Sequence, residues 1–394
     1  MEERYFIELL SAFINDTETP ICTDCDWKKI IGIGNIHMIG GILYPVVMKM
    51  PPNNRPSKYV IDKLEEIYFK TITDSANRIY EEEKILSDFL KKDITCIVIK
   101  GSVIKDFYPV AELRSMGDID IIIKERDKKS VDEVFKKNEA HITEKEKDVI
   151  TYKVRNIFFE VHTKFCSESE DKPKTKDYYE HIWNHTKDYK LNQLCPDDNF
   201  HFIIIIIHLY HHFSEGGCGI RHFVDVALFM KKSKIDYEYI KDELEKLELL
   251  KFTRLVFDLC EKWFDTENIF NKTYDEETLE QVTNYILKCG VFGEKVSTTA
   301  YKSIRKSVAD KKGLSKFFAR IRFFLKRAFP SYKNMYNIYP VLKKVPVLLP
   351  VFWFINIFKQ MKTRGKYLTK YSKEVFTNDN EANEIYELFD KLDL

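Results

Sequence analysis

The stretch VIKGSVIKDFYPVAELRSMGDID, residues 98–120, carries the features on which the fold prediction depends. An apolar run ends in Lys-Gly-Ser at residues 100–102, and Asp118 and Asp120 follow with one isoleucine between them. Alternate side chains of a β-strand share a face, so the two aspartates are predicted to point the same way while the isoleucine faces a core. Two adjacent carboxylates repel each other unless a cation lies between them. The stretch therefore indicates a metal-dependent phosphoryl- or nucleotidyl-transfer site.

A third carboxylate is expected from a neighbouring strand, and Glu160 in NIFFEVHT at residues 156–163 is the candidate. Phe159 and Val161 are predicted to face inward, which places Glu160 and His162 together on the opposite face. Three carboxylates can hold two metal ions about 3.5–4 Å apart, on either side of an in-line displacement. Glu160 is thus a candidate metal ligand, or a general base if it reaches the acceptor hydroxyl.

The Lys-Gly-Ser turn is the candidate phosphate cradle. Gly101 lets backbone amides approach a phosphate closely, and the helix predicted from Ser102 would direct its positive end at that phosphate. Arg114 offers a forked, permanently charged donor for phosphate, although pairing with Glu112 is an alternative. Lys100 lies at the end of a strand, and the sequence does not fix the direction of its side chain.

This ordered set of motifs resembles the DNA polymerase β-like nucleotidyltransferase superfamily. Its finer pattern is similar to the bacterial uncharacterised nucleotidyltransferase family, and the resemblance covers roughly residues 35–365. The matching motifs are Lys100-Gly101, Tyr108-Pro109, Arg114 before Asp118-Ile-Asp120, Phe159-Glu-Val-His162 and Ile220-Arg-His-Phe-Val-Asp225.

The resemblance implies a metal-dependent enzyme that moves a nucleoside monophosphate from an NTP, such as ATP, to an acceptor and releases pyrophosphate. It implies Mg²⁺, with Mn²⁺ as the alternative, held by Asp118, Asp120 and Glu160, which would also be the catalytic acids. It implies nucleotide contacts from Lys100, Gly101, Ser102 and Arg114. It does not name the acceptor. A protein-modifying, AMP-transferring enzyme and a catalytically inactive nucleotide-binding scaffold are the alternative functions.

Histidines recur farther along the chain, at His208, His211 and His212, with spacing that places them on one helix face. A zinc site would need a further acid or cysteine, so we interpret them as polar packing residues that close the nucleotide cleft. Arg221 and Asp225, four residues apart, are predicted to form a structural ion pair. His208, Arg221 and Asp225 are the candidate cleft residues of this region.

The predicted fold class is α+β, with a small mixed β-sheet core between N-terminal helices and a helical C-terminal domain. The core contains predicted strands over 94–100, 118–124, 149–155 and 157–163, and a helix over 128–137 that Asp127 would cap. Four divisions are proposed. Residues 1–92 form a helical region, and residues 93–190 form the catalytic core. Residues 191–300 form a helical domain that closes the cleft, and residues 301–394 form a basic, partly apolar C-terminal region.

The charge distribution is uneven, although the net charge of the 394 residues is only +1. Residues 301–370 contain 18 lysines and arginines and a single acid, Asp310. Such a segment suits a polyanion, either RNA or an anionic membrane surface, and docking on the acidic body is the alternative. The apolar run at residues 345–358 is too short to span a bilayer, which leaves burial against the body or anchoring at a membrane interface.

Eight cysteines in 394 residues do not make a dense disulfide framework. With no secretory signal at the start, a cytoplasmic location is expected, with peripheral membrane association as an extension of it. Cys22 and Cys25 form a CxxC, but no second cysteine or histidine pair lies nearby, and the sequence assigns them no role.

Overall fold

The computed structural model describes residues 1–164, 173–215, 217–290, 329–332, 335–336, 339–357 and 387–392. The chain forms two compact units, residues 1–292 and residues 293–394. The α+β class is confirmed for the first unit, which combines helices with one mixed sheet.

Helices fill the N-terminal part of the first unit. They are α1 (Glu2–Asn15), α2 (Trp27–Ile36), α3 (Leu43–Met48) and α4 (Lys58–Lys91). α4 follows the proline-rich loop at residues 51–56 and continues for 34 residues without a break. Residues 58–91 therefore form one continuous helix, and its C-terminal half packs against the sheet.

The described strands form one seven-stranded sheet of order β3-β4-β5-β2-β1-β7-β6. The strands are β1 (Cys96–Val98), β2 (Ile119–Ile123), β3 (His141–Lys145), β4 (Val149–Val154), β5 (Ile157–His162), β6 (Thr186–Asp188) and β7 (Leu194–Pro196). β2 and β5 at the centre run parallel, and β1 pairs with β2 in the antiparallel direction. This central pair carries the candidate acids.

One face of the sheet is covered by α4 and by α6 (Lys128–Lys137). The core between them includes Ile119 and Ile121 of β2 and Phe159 of β5, as the alternation predicted. Phe135 of α6 stacks on Tyr152 of β4 with ring centroids 4.1 Å apart. Burying a side chain of this size contributes about 1.5–3 kcal/mol, so this face anchors the strands that carry the candidate acids on their other face.

Asp127 occupies the N-cap position of α6 as predicted, but its side chain makes no capping hydrogen bond. It has helical backbone angles because the 3₁₀ turn Glu125–Asp127 leads directly into the helix. The prediction also omitted three strands, β3, β6 and β7. All five residues of β3 are exposed, and β6 and β7 have three residues each, so none shows an apolar alternation.

The rest of the first unit is mainly helical. The short helices α5 (Gly101–Ile104) and α7 (Pro173–Glu180) lie beside the sheet, and the helical part comprises α8 (Asp198–Glu215), α9 (Ile220–Lys232), α10 (Tyr237–Lys246), α11 (Leu250–Phe264) and α12 (Glu276–Cys289). The five consecutive isoleucines at 203–207 in α8 are all buried, which suits an apolar run with no polar face.

The second unit is described in part, and most of the basic segment at 301–370 lies outside the described residues. Trp353 donates from Nε1 to the Pro330 carbonyl at 2.8 Å and packs edge-on against Phe329. Within this unit several apolar residues of the run at 345–358 are exposed, Val347 and Phe354 most of all. Among the described residues, no helix is both long and apolar enough to cross a membrane.

Candidate active site

Two candidate acids lie side by side on neighbouring parallel strands. Asp120 of β2 is in register with Glu160 of β5, and Ile122 is in register with His162. Asp118 immediately precedes β2, two residues before Asp120, and lines the same cleft. The strand alternation therefore brings the three predicted acids to one side of the sheet, opposite the apolar core.

Asp120 is buried, and its carboxylate contacts a lysine and a histidine. Lys100 Nζ lies 3.0 Å from Asp120 Oδ1, and His162 Nε2 lies 3.3 Å from the same oxygen. Although burial alone would raise the pKa of Asp120, the charge of Lys100 and the hydrogen bond to His162 lower it. The Asp120 carboxylate is thus held in its ionised form.

His162 also approaches the second acid, with its Nε2 3.6 Å from Glu160 Oε2. Ligand atoms of Asp120, Glu160 and His162 all lie within 4.8 Å of one another. Asp118 is not part of this tight group, but burial and the charges of Glu160 and Asp120 raise the pKa of its carboxyl. Negative charge is therefore in excess around Asp118.

This donor set fits a hard divalent cation. Mg²⁺ is bound in proteins through one or two carboxylates together with substrate phosphates. Asp118, Asp120 and Glu160 supply oxygen donors on one wall of a cleft of about 220 Å³, and a cation there would relieve the repulsion that raises the pKa of Asp118.

The turn that carries Lys100 is strained. Lys100 has φ 52° and ψ −127°, a combination that glycine adopts readily and that costs other residues about 1–3 kcal/mol. Strain of this kind persists where the surroundings hold it, and it occurs mainly at functional sites. Here it turns the chain from β1 into α5 and accompanies the contact of Lys100 with Asp120.

Gly101 and Ser102 differ in their access to the cleft. Gly101 lines it, whereas Ser102 is buried and is not among the lining residues. The Ser102 carbonyl accepts a 2.9 Å hydrogen bond from the Tyr189 hydroxyl and also one from Lys105 Nζ. Ser102 therefore sits behind the turn, and its predicted contact with phosphate stays a prediction.

Gly101→Ala is expected to destabilise the fold and to weaken NTP binding. An added Cβ would lie 2.5 Å from Arg114 Nη1, and that guanidinium cannot move aside because Asp225 holds it. Overpacking of this kind costs about 1–3 kcal/mol. Chemical denaturation and calorimetric titration with NTP would measure the two effects.

Gly117→Ala is the matched control for stability, because Gly117 lies in the same cleft wall and a Cβ there meets nothing within 4 Å. Equal free energies of unfolding for the two variants would show that the close approach at Gly101 is unimportant.

Arg114 is bound by an aspartate of α9. Its Nε and Nη2 donate to the two carboxylate oxygens of Asp225 at 2.8 Å each, and all three residues of the Tyr108–Asp225–Arg114 group are buried. The alternative partner Glu112 is therefore not used. Arg114 still lines the cleft, so its predicted contact with phosphate would have to come from Nη1.

The predicted Arg221–Asp225 ion pair is wrong, because Asp225 pairs with Arg114 and Tyr108 instead. Arg221 donates from Nη1 to the Ser115 carbonyl at 2.9 Å, while its buried Nε has no hydrogen-bond partner among the described residues. Burial lowers the pKa of Arg221 to about 10. A buried cationic donor thus lines the cleft with hydrogen-bonding capacity to spare.

The three candidate cleft residues of the helical part, His208, Arg221 and Asp225, all line the cleft. Helices α8 and α9 therefore form the wall that faces the acids. The CxxC lies elsewhere. Cys25 Sγ contacts the Cys22 carbonyl at 3.6 Å, and burial together with Cys22 raises the pKa of Cys25 to about 12, which disfavours a reactive thiolate.

Comparison with known families agrees with this geometry. Residues 23–265 match the model of the family described as "Uncharacterised nucleotidyltransferase". The chain belongs to this family. It is accordingly a nucleotidyltransferase, as its motifs predicted.

Other comparisons add little to the family assignment. No curated protein matches the chain. A solution structure of the antibiotic-resistance factor ANT(2″)-Ia shows 9% identity and a TM-score of 0.32, over 46% of this chain and 94% of that one. A crystal structure of ANT(2″)-Ia in complex with adenylyl-2″-tobramycin shows 11% identity and a TM-score of 0.31, over 45% and 96%. Both scores are too low to support a closer relationship.

Two residues of this nucleotidyltransferase site, His162 and His222, were not assigned from the sequence. Alternation placed His162 on the correct face. The sequence did not show that His162 lies between Asp120 and Glu160, so no role was assigned to it. His222 lines the cleft from α9, and no spacing within the chain links it to the histidines of α8.

Proposed function

We propose that this chain transfers a nucleoside monophosphate from an NTP to an acceptor, with release of pyrophosphate, in a reaction that depends on Mg²⁺. The observation that carries the proposal is the register of Asp120 with Glu160 on adjacent parallel strands, with Asp118 at the entrance and Lys100 against Asp120. Carboxylates beside a lysine-bearing turn in one cleft suit a metal-bound triphosphate.

Asp118, Asp120 and Glu160 are proposed to hold the metal ion. When bound, Mg²⁺ would neutralise charge on the phosphates and orient the α-phosphate for in-line displacement. His162, between two of the acids, would keep their carboxylates oriented, as the partners of metal ligands commonly do.

Cationic groups on both sides of the cleft are proposed to bind the triphosphate. Lys100 approaches from the turn after β1, and Arg221 offers from α9 an Nε that has no hydrogen-bond partner within the described part of the chain. Because Gly101 has no Cβ, the Arg114 guanidinium can lie directly against the turn, where its Nη1 would be the donor to a phosphate. These donors would stabilise the negative charge that develops as pyrophosphate departs.

The acceptor contributes the attacking oxygen. Its bond to the α-phosphorus forms as the bond to the bridging oxygen of pyrophosphate breaks, and the acceptor's proton passes to a nearby base. Glu160 is the proposed base when it is not fully engaged as a ligand, because it is the most exposed member of the tight group. The chemical class of the acceptor stays open.

The proposal is tested with α-labelled NTPs and the full-length protein, with Mg²⁺ and with chelator. We expect NTP-dependent release of pyrophosphate or transfer of label to a small molecule, an RNA or a protein, and loss of both in chelator. Mg²⁺-dependent NTP binding without turnover on any acceptor would favour the scaffold. Labelling of protein side chains alone would favour the AMP-transferring alternative.

A further inference from the structure

Three histidine rings meet on the cleft wall opposite the acids. His208 and His212 come from successive turns of α8, and His222 comes from α9. Each offers a ring nitrogen, and these nitrogens all lie within 4.8 Å of one another. All three residues line the cleft. The cluster therefore joins two helices and has one side open to substrate.

The closest pair already has the spacing of metal ligands. His208 Nε2 lies 3.1 Å from His212 Nε2. Two nitrogens bound to one tetrahedral zinc ion at roughly 2.0–2.1 Å are about 3.3 Å apart. A histidine pair four residues apart on a helix is also the arrangement that helical zinc motifs use. The third nitrogen, from His222, lies within 4.8 Å of both and would have to move closer to complete the same geometry.

The third histidine is held in a suitable tautomer. His222 Nδ1 lies 3.2 Å from the Gly219 carbonyl, which accepts a hydrogen bond only if the proton is on Nδ1. The lone pair is then on Nε2 and available to a metal. Metal-binding histidines commonly donate their other ring N–H to a backbone carbonyl in this way.

The surroundings favour neutral imidazole, which is the form that binds metals. His222 is buried, the three rings crowd together, and the cationic Arg221 is adjacent in sequence. Adding a proton to any ring would place positive charge beside other rings and a guanidinium, away from water. A metal ion would instead gain direct coordinate bonds from three nitrogen lone pairs.

We propose that His208, His212 and His222 form a second metal site, for a first-row transition metal with Zn²⁺ as the best fit, distinct from the carboxylate site. Nitrogen donors select Zn²⁺ or its neighbours, whereas oxygen donors select Mg²⁺. Three protein ligands leave the fourth position open, as in catalytic rather than structural zinc sites. That position faces the cleft and would take an oxygen of a bound phosphate or hydroxyl group.

The site is tested with the full-length protein after metal removal by chelator and dialysis. Titration with Co²⁺ is expected to give one equivalent of strong visible absorption typical of four-coordinate cobalt, and Zn²⁺ should displace it. His212→Gln, at a partly exposed position, is expected to weaken binding by about 100-fold or more, since even partners of metal ligands contribute 10–100-fold.

His211→Gln is the matched control, because His211 is the neighbouring histidine on α8 and is outside the cluster. It should bind Co²⁺ like the wild type. Circular dichroism would confirm that each variant is folded, and His222→Gln provides a second ligand variant. Absent visible bands, or wild-type affinity in folded His212→Gln and His222→Gln, would overturn the proposal.

The carboxylate site can be separated from this result. Asp120→Asn should keep the cobalt spectrum because Asp120 is not a ligand of the histidine cluster. If Asp120→Asn loses nucleotidyl transfer but keeps the cobalt spectrum, the defect lies in the carboxylate site. If His212→Gln loses the cobalt spectrum, the defect lies in the histidine site.

Discussion

Asp120→Asn is expected to lower the rate of nucleotidyl transfer by about a thousandfold or more, which corresponds to about 4 kcal/mol of transition-state stabilisation. Asparagine keeps the size of the side chain but removes the negative charge that a metal ion requires. Lys100 and His162 would lose their shared anionic partner at the same time. The rate is measured as pyrophosphate release at saturating NTP and Mg²⁺.

The fold should survive this change. The amide oxygen of the new side chain would still accept a hydrogen bond from Lys100, and the repulsion among the three acids would be relieved. We expect a melting temperature close to that of the wild type without metal. Glu144→Gln on the exposed strand β3 is the control and should be fully active. An Asp120→Asn enzyme with wild-type activity would refute the assignment of the acids to the active site.

The sequence predicted the acid side of the cleft well because it depends on local geometry. Alternation alone places Asp120, Glu160 and His162 on the face opposite Ile121 and Val161. What it could not give was the order of the strands. The register between Asp120 and Glu160 depends on the long excursion through α6 and the β3–β4 hairpin, which returns β5 parallel to β2.

The helical side of the cleft was harder to predict. Spacing on α8 grouped His211 with His208 and His212, whereas the structure replaces His211 with His222 from the next helix. Which rings meet depends on how α9 packs against α8 after the glycine-rich turn. Long-range packing of this kind leaves no periodic signal in the chain.

The same limit explains the wrong partner of Asp225. A separation of four residues makes an ion pair on a helix surface plausible, but such pairs are worth only about 0.2–0.5 kcal/mol. Arg114 offers two parallel hydrogen bonds in a buried setting, which is the stronger and more specific geometry. The buried Arg114–Asp225 pair is therefore more favourable than a local Arg221–Asp225 pair.

Asp225→Asn is expected to cause the largest loss of stability, about 3–5 kcal/mol, because it leaves the buried Arg114 guanidinium without its counter-charge. The free energy of unfolding of a folded protein is only about 5–15 kcal/mol, so much of this variant would unfold in mild denaturant. Tyr108 would also lose the anionic acceptor that its hydroxyl contacts at 2.8 Å. Urea unfolding followed by fluorescence and by circular dichroism measures the change.

A double variant decides whether the cost comes from the unpaired charge. Replacing both partners, in Arg114→Met with Asp225→Leu, should cost much less than the sum of the single changes, because no charge is then left buried. Glu66→Gln breaks an exposed ion pair with Lys63 and should leave stability unchanged. If Asp225→Asn were as stable as Glu66→Gln, the Arg114–Asp225 pair would not be what joins the loop before β2 to α9. The cleft wall would then depend on apolar packing and on the Arg221–Ser115 hydrogen bond, and Arg114 could turn toward a phosphate without loss of stability.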